Sequence, residues 1–308
     1  MPDEIPESET VFEPATEAGH SSGEPLASGL YIVATPIGNL EDITLRALRV
    51  LGSVDRIACE DTRHTQKLLR HYGISKPVVS YHQHNEQQRG AELVAQLLQG
   101  ARIALVSDAG MPGISDPGAE VVQRAIAAGV NMIPIPGACA AVTALAAAGI
   151  DTAKFIYHGF PPSRPGERRS FFESLLPETA TMVFYESPHR IVATLSDAAL
   201  ALGNDRPSVL ARELTKIHEE FLRGTLREIH AILSARENVR GEITLMISGA
   251  IGGDAANMKT AQTIQARLSE LKANENLDEM DALKRVARER GLSKSESYRE
   301  LQRERNRK

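Results

Sequence analysis

The sequence predicts an α/β protein built from two α/β domains and a C-terminal helical extension. Three observations predict it. Short apolar runs alternate with helical periodicity from Leu30 to about Ile150, a second alternation runs from about Lys154 to Ser248, and beyond Met258 only helical patterns remain.

In the first region Leu30-Tyr31-Ile32-Val33-Ala34 is β-branched and too short for an ordinary helix, so it reads as a buried strand. The chain then turns at Thr35-Pro36-Ile37-Gly38-Asn39 and enters a helix, Ile43–Leu51, with Leu45, Leu48 and Leu51 expected inward. Further strands are expected at 56–58, 77–79, 103–106 and 131–135, with helices at 65–72, 87–99 and 119–128 between them. Such alternation argues a mainly parallel sheet covered on both faces. In the second region strands are expected at 156–160, 181–185, 208–212 and 242–248 and helices at 168–176, 190–202 and 227–236, an order that leaves room for a mixed sheet. The expected organisation is an acidic disordered extension 1–28, domains 29–150 and 151–250, a Gly/Ala linker 251–259, and a basic helical tail 260–308. In the tail, Ser293 followed by Glu296 has the form of a capping box after Gly291, giving a helix-turn-helix pattern. That pattern fits nucleic-acid binding, or a helical hairpin that packs on the protein or aids dimerisation.

Charge is unevenly spread. Residues 1–29 carry seven acids and no Lys or Arg, whereas residues 259–308 carry thirteen Lys/Arg against nine acids. No apolar run approaches the ~20 residues of a membrane span, so no membrane association and a cytoplasmic location are expected. Two cysteines, Cys59 and Cys139, cannot form a metal site alone; reduced thiols and no metal are expected.

Chemistry collects at strand ends. Cys59-Glu60-Asp61-Thr62-Arg63 ends the second strand, and Val106 to Gly118 (VSDAGMPGISDPG) is a Gly/Pro loop that lets a ligand approach the backbone. Its acids, Asp108 and Asp116, suit ribose hydroxyls or an amino group, or Asp116 starts the next helix. This is neither GxGxxG nor a Walker sequence, so a ligand without phosphate is indicated. The turn Ile135 to Ala141, and the clusters 184–190, 211–216 and 241–245, complete the set.

These pieces, in this order, resemble the tetrapyrrole-methylase superfamily of S-adenosylmethionine (SAM) methyltransferases. TPIGNLEDITLRA, ACEDTR, VSDAGMPGISDPG, PGACA, FYESPHR and ARELTKIHEEFLRG are similar to the bacterial 16S rRNA (cytidine-2′-O-)methyltransferase family, over roughly residues 29 to 303. Met111 and Cys139 depart from its pattern, which prefers small residues and Pro or Ser there.

The resemblance implies two α/β domains of tetrapyrrole-methylase type with a SAM cleft between them, and a homodimer. It places SAM against Pro36, Asp108, Ala109, Gly110, Gly137, Ala138, Tyr185, Leu214, Gly241 and Thr244. The reaction implied is methyl transfer to a ribose 2′-hydroxyl of 16S rRNA in the small ribosomal subunit. Asp61, Glu60 and Lys216 are the catalytic candidates, with Glu186 and Glu213 behind them, and Arg63, His64, His189 and Arg190 the phosphate-holding ones. Glu60 with Arg63, or Glu213 with Lys216, also read as ion pairs. The alternatives are a precorrin or uroporphyrinogen C-methyltransferase and a non-catalytic RNA-binding ribosome-assembly protein.

Overall fold

The computed structural model describes residues 26–250, 264–275, 277–289 and 292–306. The linker 251–259, Gly291 and all but the last three residues of the expected acidic extension lie outside the described residues. The chain divides into two compact units, Met1–Thr143 with Leu214–His218, and Ala144–Glu213 with Glu219–Lys308.

The first unit contains β1 (Gly29–Val33), α1 (Leu45–Ser53), β2 (Arg56–Cys59), α2 (Thr62–His71), β3 (Val78–Ser80), α3 (Glu86–Leu98), β4 (Arg102–Val106), α4 (Ala119–Ala127) and β5 (Met132–Ile135). Its strands form one sheet in the order β3-β2-β4-β1-β5, with every pairing parallel. The apolar runs are continuous because alternate residues serve opposite faces. Tyr31, Val33, Ile57, Cys59, Ala104 and Val106 pack with α1 and α2, while Leu30, Ala58, Ile103 and Leu105 pack with α3 and α4. α1 starts where the Thr44 hydroxyl accepts the Ala47 N–H. Its inward residues are Ala47, Val50 and Leu51. Leu45, expected inward, is 85% exposed. The register is shifted because Thr44 caps the helix, so Leu45 is only its first residue.

The helix α5 (Ala140–Ala148) crosses the division between the units. The second unit continues with β6 (Phe155–Gly159), α6 (Pro165–Ser174), β7 (Thr181–Glu186), α7 (Ile191–Leu202), β8 (Pro207–Arg212), β9 (Glu220–Thr225), α8 (Leu226–Ser234) and β10 (Ile243–Ile247). The sheet order is β6-β7-β10-β8-β9, mixed because only β6 and β7 run parallel. Its core joins Phe172 of α6, Ile191 and Leu195 of α7 and Ile229 and Leu233 of α8 to Met182, Phe184, Leu210 and Leu245 of the sheet.

Strand β9 was not among the expected strands. Its sequence, EFLRGT, lacks apolar alternation. Polar contacts hold it at the edge instead. Glu220 pairs with Arg212 of β8 and with Arg236. Arg223 donates to the carbonyls of Ala147 and Ala148, at the C-terminal end of α5.

From residue 264 onward, α9 (Ile264–Glu275), α10 (Glu279–Glu289) and α11 (Lys294–Asn306) share an apolar cluster of Ile264, Leu268, Leu271, Leu283, Val286 and Leu301. The expected capping box is present. Ser293 Oγ accepts the Glu296 N–H, and the Glu296 carboxylate accepts the Ser293 N–H at 2.9 Å.

One ion cluster stands out energetically. Asp197 of α7 and Arg168 of α6 have side chains only 5% and 4% exposed, joined at 2.7 Å, with Arg169 on the second carboxylate oxygen. Asp197→Ala strands a buried guanidinium and is expected to cost about 3–5 kcal/mol. Asp205→Ala breaks an exposed pair with Arg227 and is expected to cost under about 1 kcal/mol. Urea unfolding of the two variants measures the contrast; equal losses would show the buried cluster to be solvated.

Candidate functional site

In the first sheet β4, β1 and β5 are neighbours, so their C-terminal turns meet. Thr35 and Gly110 close an antiparallel bridge, with Thr35 N–H donating to Gly110 O at 2.9 Å and Gly110 N–H to Thr35 O at 3.1 Å. The Thr35 hydroxyl donates to Ser107 O, and the Ser107 hydroxyl donates to Gly110 O. Gly110 has φ +83°, which favours glycine. At Gly137 a Cβ would lie 2.8 Å from that of Ala34, so the β5 turn closes directly on the end of β1. Pro36, Asp108, Ala109, Gly110, Gly137 and Ala138 therefore belong to three mutually braced turns.

Leu214 and Lys216 also belong to the first unit. Asn39 N–H donates to Thr215 Oγ1 at 3.0 Å, and a Cβ on Gly38 would stand 2.5 Å from Lys216 Cγ. The glycine of TPIGN is thus required by the passage of the lysine stem. Thr215 and Glu213 both hold positive φ, 64° and 52°. Strain of this kind concentrates at functional segments.

The β3-β2-β4 half of the strand-end row has the opposite character. Asp61 N–H donates to the Asp108 carboxylate at 3.2 Å, tying the β2 end to the β4 end. Glu60 is exposed, yet partial burial and the charges of Asp108 and Asp61 raise its pKa, against His82, which lowers it. Asp116 is pushed up to about 6 by burial and then by Glu60 and Asp108. Asp61 is held at about 2 because Arg63 donates to it from both side chain and backbone. Arg63 therefore pairs with Asp61 and not with Glu60, because Asp61 caps α2 and accepts both the backbone N–H and the guanidinium of Arg63, two residues on. His64 sits beside it, exposed.

Asp116 does not start the following helix. Gly118 is its N-cap, with φ +140°, and Gly118 N–H donates to the carboxylate of Glu86. The site features that sequence reasoning missed are this Glu86 contact and His82, whose Nδ1 is buried without a partner among the described residues. His82 follows β3 as Glu60 follows β2; the strand-end rule would have found it, but β3 is only three residues long.

In the second unit Thr244 lies opposite Tyr185 across the β10–β7 pairing. The Tyr185 ring meets those of Tyr157 and Phe160 edge-on, at 5.0 and 5.9 Å, forming an aromatic wall that includes the exposed Phe160. At Gly241, φ +91°, a Cβ would fall 2.3 Å from Glu213 Cγ, and Glu242 N–H donates to the Glu213 carboxylate. His189 is exposed. Arg190 is held by Glu186 at 2.7 Å, and Glu186 is buried, also accepting from Thr194 and from Ser187 N–H.

Residues 29–230 match the family model of the tetrapyrrole (corrin/porphyrin) methylases. The chain belongs to that family. It is 48% identical to ribosomal RNA small subunit methyltransferase I of Halalkalibacterium halodurans, covering 87% of this chain and 93% of the relative. It is 44% identical to the protein of that name from Escherichia coli O157:H7, covering 87% and 96%. Among solved structures, uroporphyrin-III-C-methyltransferase from Thermus thermophilus matches with TM-score 0.53 at 20% identity, over 74% of this chain and 98% of that one. Diphthine synthase matches with TM-score 0.55 at 14% identity, over 74% and 93%. Those likenesses establish the methylase fold.

Asp116 makes the acidic half testable. Its carboxyl pKa rises from 3.8 to about 6 on folding. The stability it contributes is therefore complete below pH 3.8, lost as pH rises through about 6, and absent above. Asp116→Asn is expected to be more stable than its parent by about 1–2 kcal/mol at pH 7.5, with the gap closing near pH 4. Thermal unfolding at both pH values checks this; a pH-independent gap would show a solvated carboxyl.

Proposed function

We propose that this protein transfers the methyl group of SAM to the ribose 2′-oxygen of a cytidine in 16S rRNA of the small ribosomal subunit. The observation that carries the substrate is the 48% identity to a ribosomal RNA small subunit methyltransferase I along 93% of that relative. The uroporphyrin-III-C-methyltransferase of Thermus thermophilus is 20% identical. The work is assigned to the cytoplasm, where small subunits are assembled, and to a homodimer.

Methyltransferases of this family take their methyl group from SAM, and the residues present fit it. SAM carries no phosphate, and at the start of α4 the Gly118 N–H is already taken by the Glu86 carboxylate. The nearby Glu60, Asp108 and Asp116 disfavour an anion and favour a sulfonium and an amino group. Pro36, Asp108, Ala109, Gly110, Gly137, Ala138 and Leu214 in the first unit, with Tyr185, Gly241 and Thr244 in the second, are assigned to the donor. When bound, SAM supplies an activated methyl group on sulfur, so alignment of the acceptor oxygen is the main task left to the protein.

Accepting the hydroxyl proton is the other task. Of the three catalytic candidates, Glu60 fits best, because its raised pKa gives the stronger base, whereas Asp61, held at about 2 by Arg63, serves as a fixed cap and acceptor. Lys216 is assigned to positioning. Arg63, His64 and His189 are exposed and suited to phosphates, with Arg190 oriented by Glu186.

Small subunits from a strain lacking this enzyme, incubated with methyl-labelled SAM, are expected to acquire label on a cytidine ribose; label on a base, or only on a tetrapyrrole, would overturn the reading. Glu60→Gln is expected to lower kcat by about 10²–10⁴-fold and to abolish the acid limb of the pH profile, where activity falls as Glu60 takes up its proton. A variant that keeps that limb clears Glu60. Calorimetric titration of Asp108→Ala should show SAM affinity reduced about tenfold, and unchanged affinity removes Asp108 from the donor site.

A further inference from the structure

The composition of the tail, with acids interspersed among bases, hides a sorted surface. Down the helix α11, residues four apart stack into rows. Ser297 and Leu301 form the buried row. Glu296, Glu300 and Glu304 form the row beside it. Two of these acids are used inside the bundle. Glu296 closes the capping box on Ser293, and the Glu304 carboxylate accepts the N–H groups of Ile264 and Gln265, at the start of α9, at 3.0 and 2.9 Å. The Glu296 pKa is lowered chiefly by the Ser293 hydroxyl and N–H, with Arg299 of the same helix and Arg169 of α6 adding to the effect.

The remaining two rows are Lys294, Tyr298 and Gln302, and Ser295, Arg299 and Arg303. All but Gln302 are exposed, with Tyr298 at 51%. Among the described residues no salt bridge within 4 Å holds Lys294, Arg299 or Arg303, although Lys294 lies near enough to Asp281, and Arg299 to Glu296, to lower those carboxyl pKa values. This face offers three cations, hydroxyl and amide groups and one exposed aromatic ring, and no aliphatic side chain. Basic residues clustered along one helix face are the electrostatic footprint of nucleic-acid binding.

We propose that this face of α11 binds RNA, with Arg299, Arg303 and Lys294 on phosphates and Tyr298 stacking on an unpaired base. α11 follows α10 as the second of two consecutive helices, the position that presents its helix to a duplex in helix-turn-helix proteins. The deep, narrow groove of an RNA helix resists side chains, so the contacts fall on backbone phosphates and on loop bases. The proposal rests on the rRNA reading above and adds a second anchor on the same RNA, separate from the strand-end residues.

The test uses the full chain, small subunits and the naked 16S rRNA. Arg299→Glu/Arg303→Glu is expected to raise KM for RNA about tenfold or more while SAM affinity and thermal unfolding stay at parental values. The slope of log affinity against log salt should become shallower by about 1.5. Arg299→Lys/Arg303→Lys keeps the charge and should stay within about threefold of the parent. An unchanged KM and salt slope overturns the proposal, as do equal losses in the Glu and Lys variants, which would mean a packing role. Loss of binding to assembled subunits with naked-RNA affinity intact would assign the face to ribosomal protein and equally overturn it. The parent enzyme separates the two readings: without methyl transfer to rRNA the proposed function itself fails, whereas transfer with an unaltered salt slope in the Glu variant defeats only the RNA-binding face.

Discussion

The bridge between Thr35 and Gly110 is the constraint on which the first unit's chemistry rests. Two parallel strands cannot pair through their outgoing turns by ladder hydrogen bonds alone, since each turn leaves the sheet toward its own helix. Here the β1 and β4 turns fold back and exchange two backbone hydrogen bonds, reinforced by the hydroxyls of Thr35 and Ser107. The conformation needs glycine at 110, and the β5 turn needs glycine at 137 to close against Ala34. Loops that would otherwise sample many conformations are thereby organised before any ligand arrives, which lowers the entropy lost on binding.

The strand-end row divides chemically along the same line. The braced turns present backbone and small side chains, whereas the β2 and β4 ends gather carboxylates that the fold incompletely neutralises. Asp116 near 6 is the clearest sign, because desolvation and two neighbouring negative charges act in the same direction. Proteins retain such unfavourable groups where a ligand's charge can compensate them. A cationic donor would do so, and the carboxylate of Glu86 on the α4 start denies the same place to phosphate.

Much of this was legible in the sequence. The parallel sheet could be read from continuous apolar runs, since each run serves two covered faces, while hairpin-compatible connections left room for the mixed one. The strand-end motifs identified the turns, though not the hydrogen bonds between them. Legibility failed where local pattern is not the cause. Leu45 looked inward by period but is turned outward by the Thr44 cap, and β9 is held by Glu220 and Arg223 rather than by apolar alternation. Sequence alone suggested Arg63 beside Glu60, whereas the cap geometry of Asp61 takes the guanidinium instead. The tail shows the same limit, because a list of charges does not say which of them are turned inward.

The contact from Glu304 to the first N–H groups of α9 gives the helical tail a closed circuit. Its last helix completes its first, so a proteolytic nick just upstream of Glu304 would do more than shorten the chain. It would expose two amides forty residues away and loosen the seam around Ile264 and Leu301. Such damage would fray the tail from both ends at once, leaving the two sheets, which draw on separate cores, to persist without it.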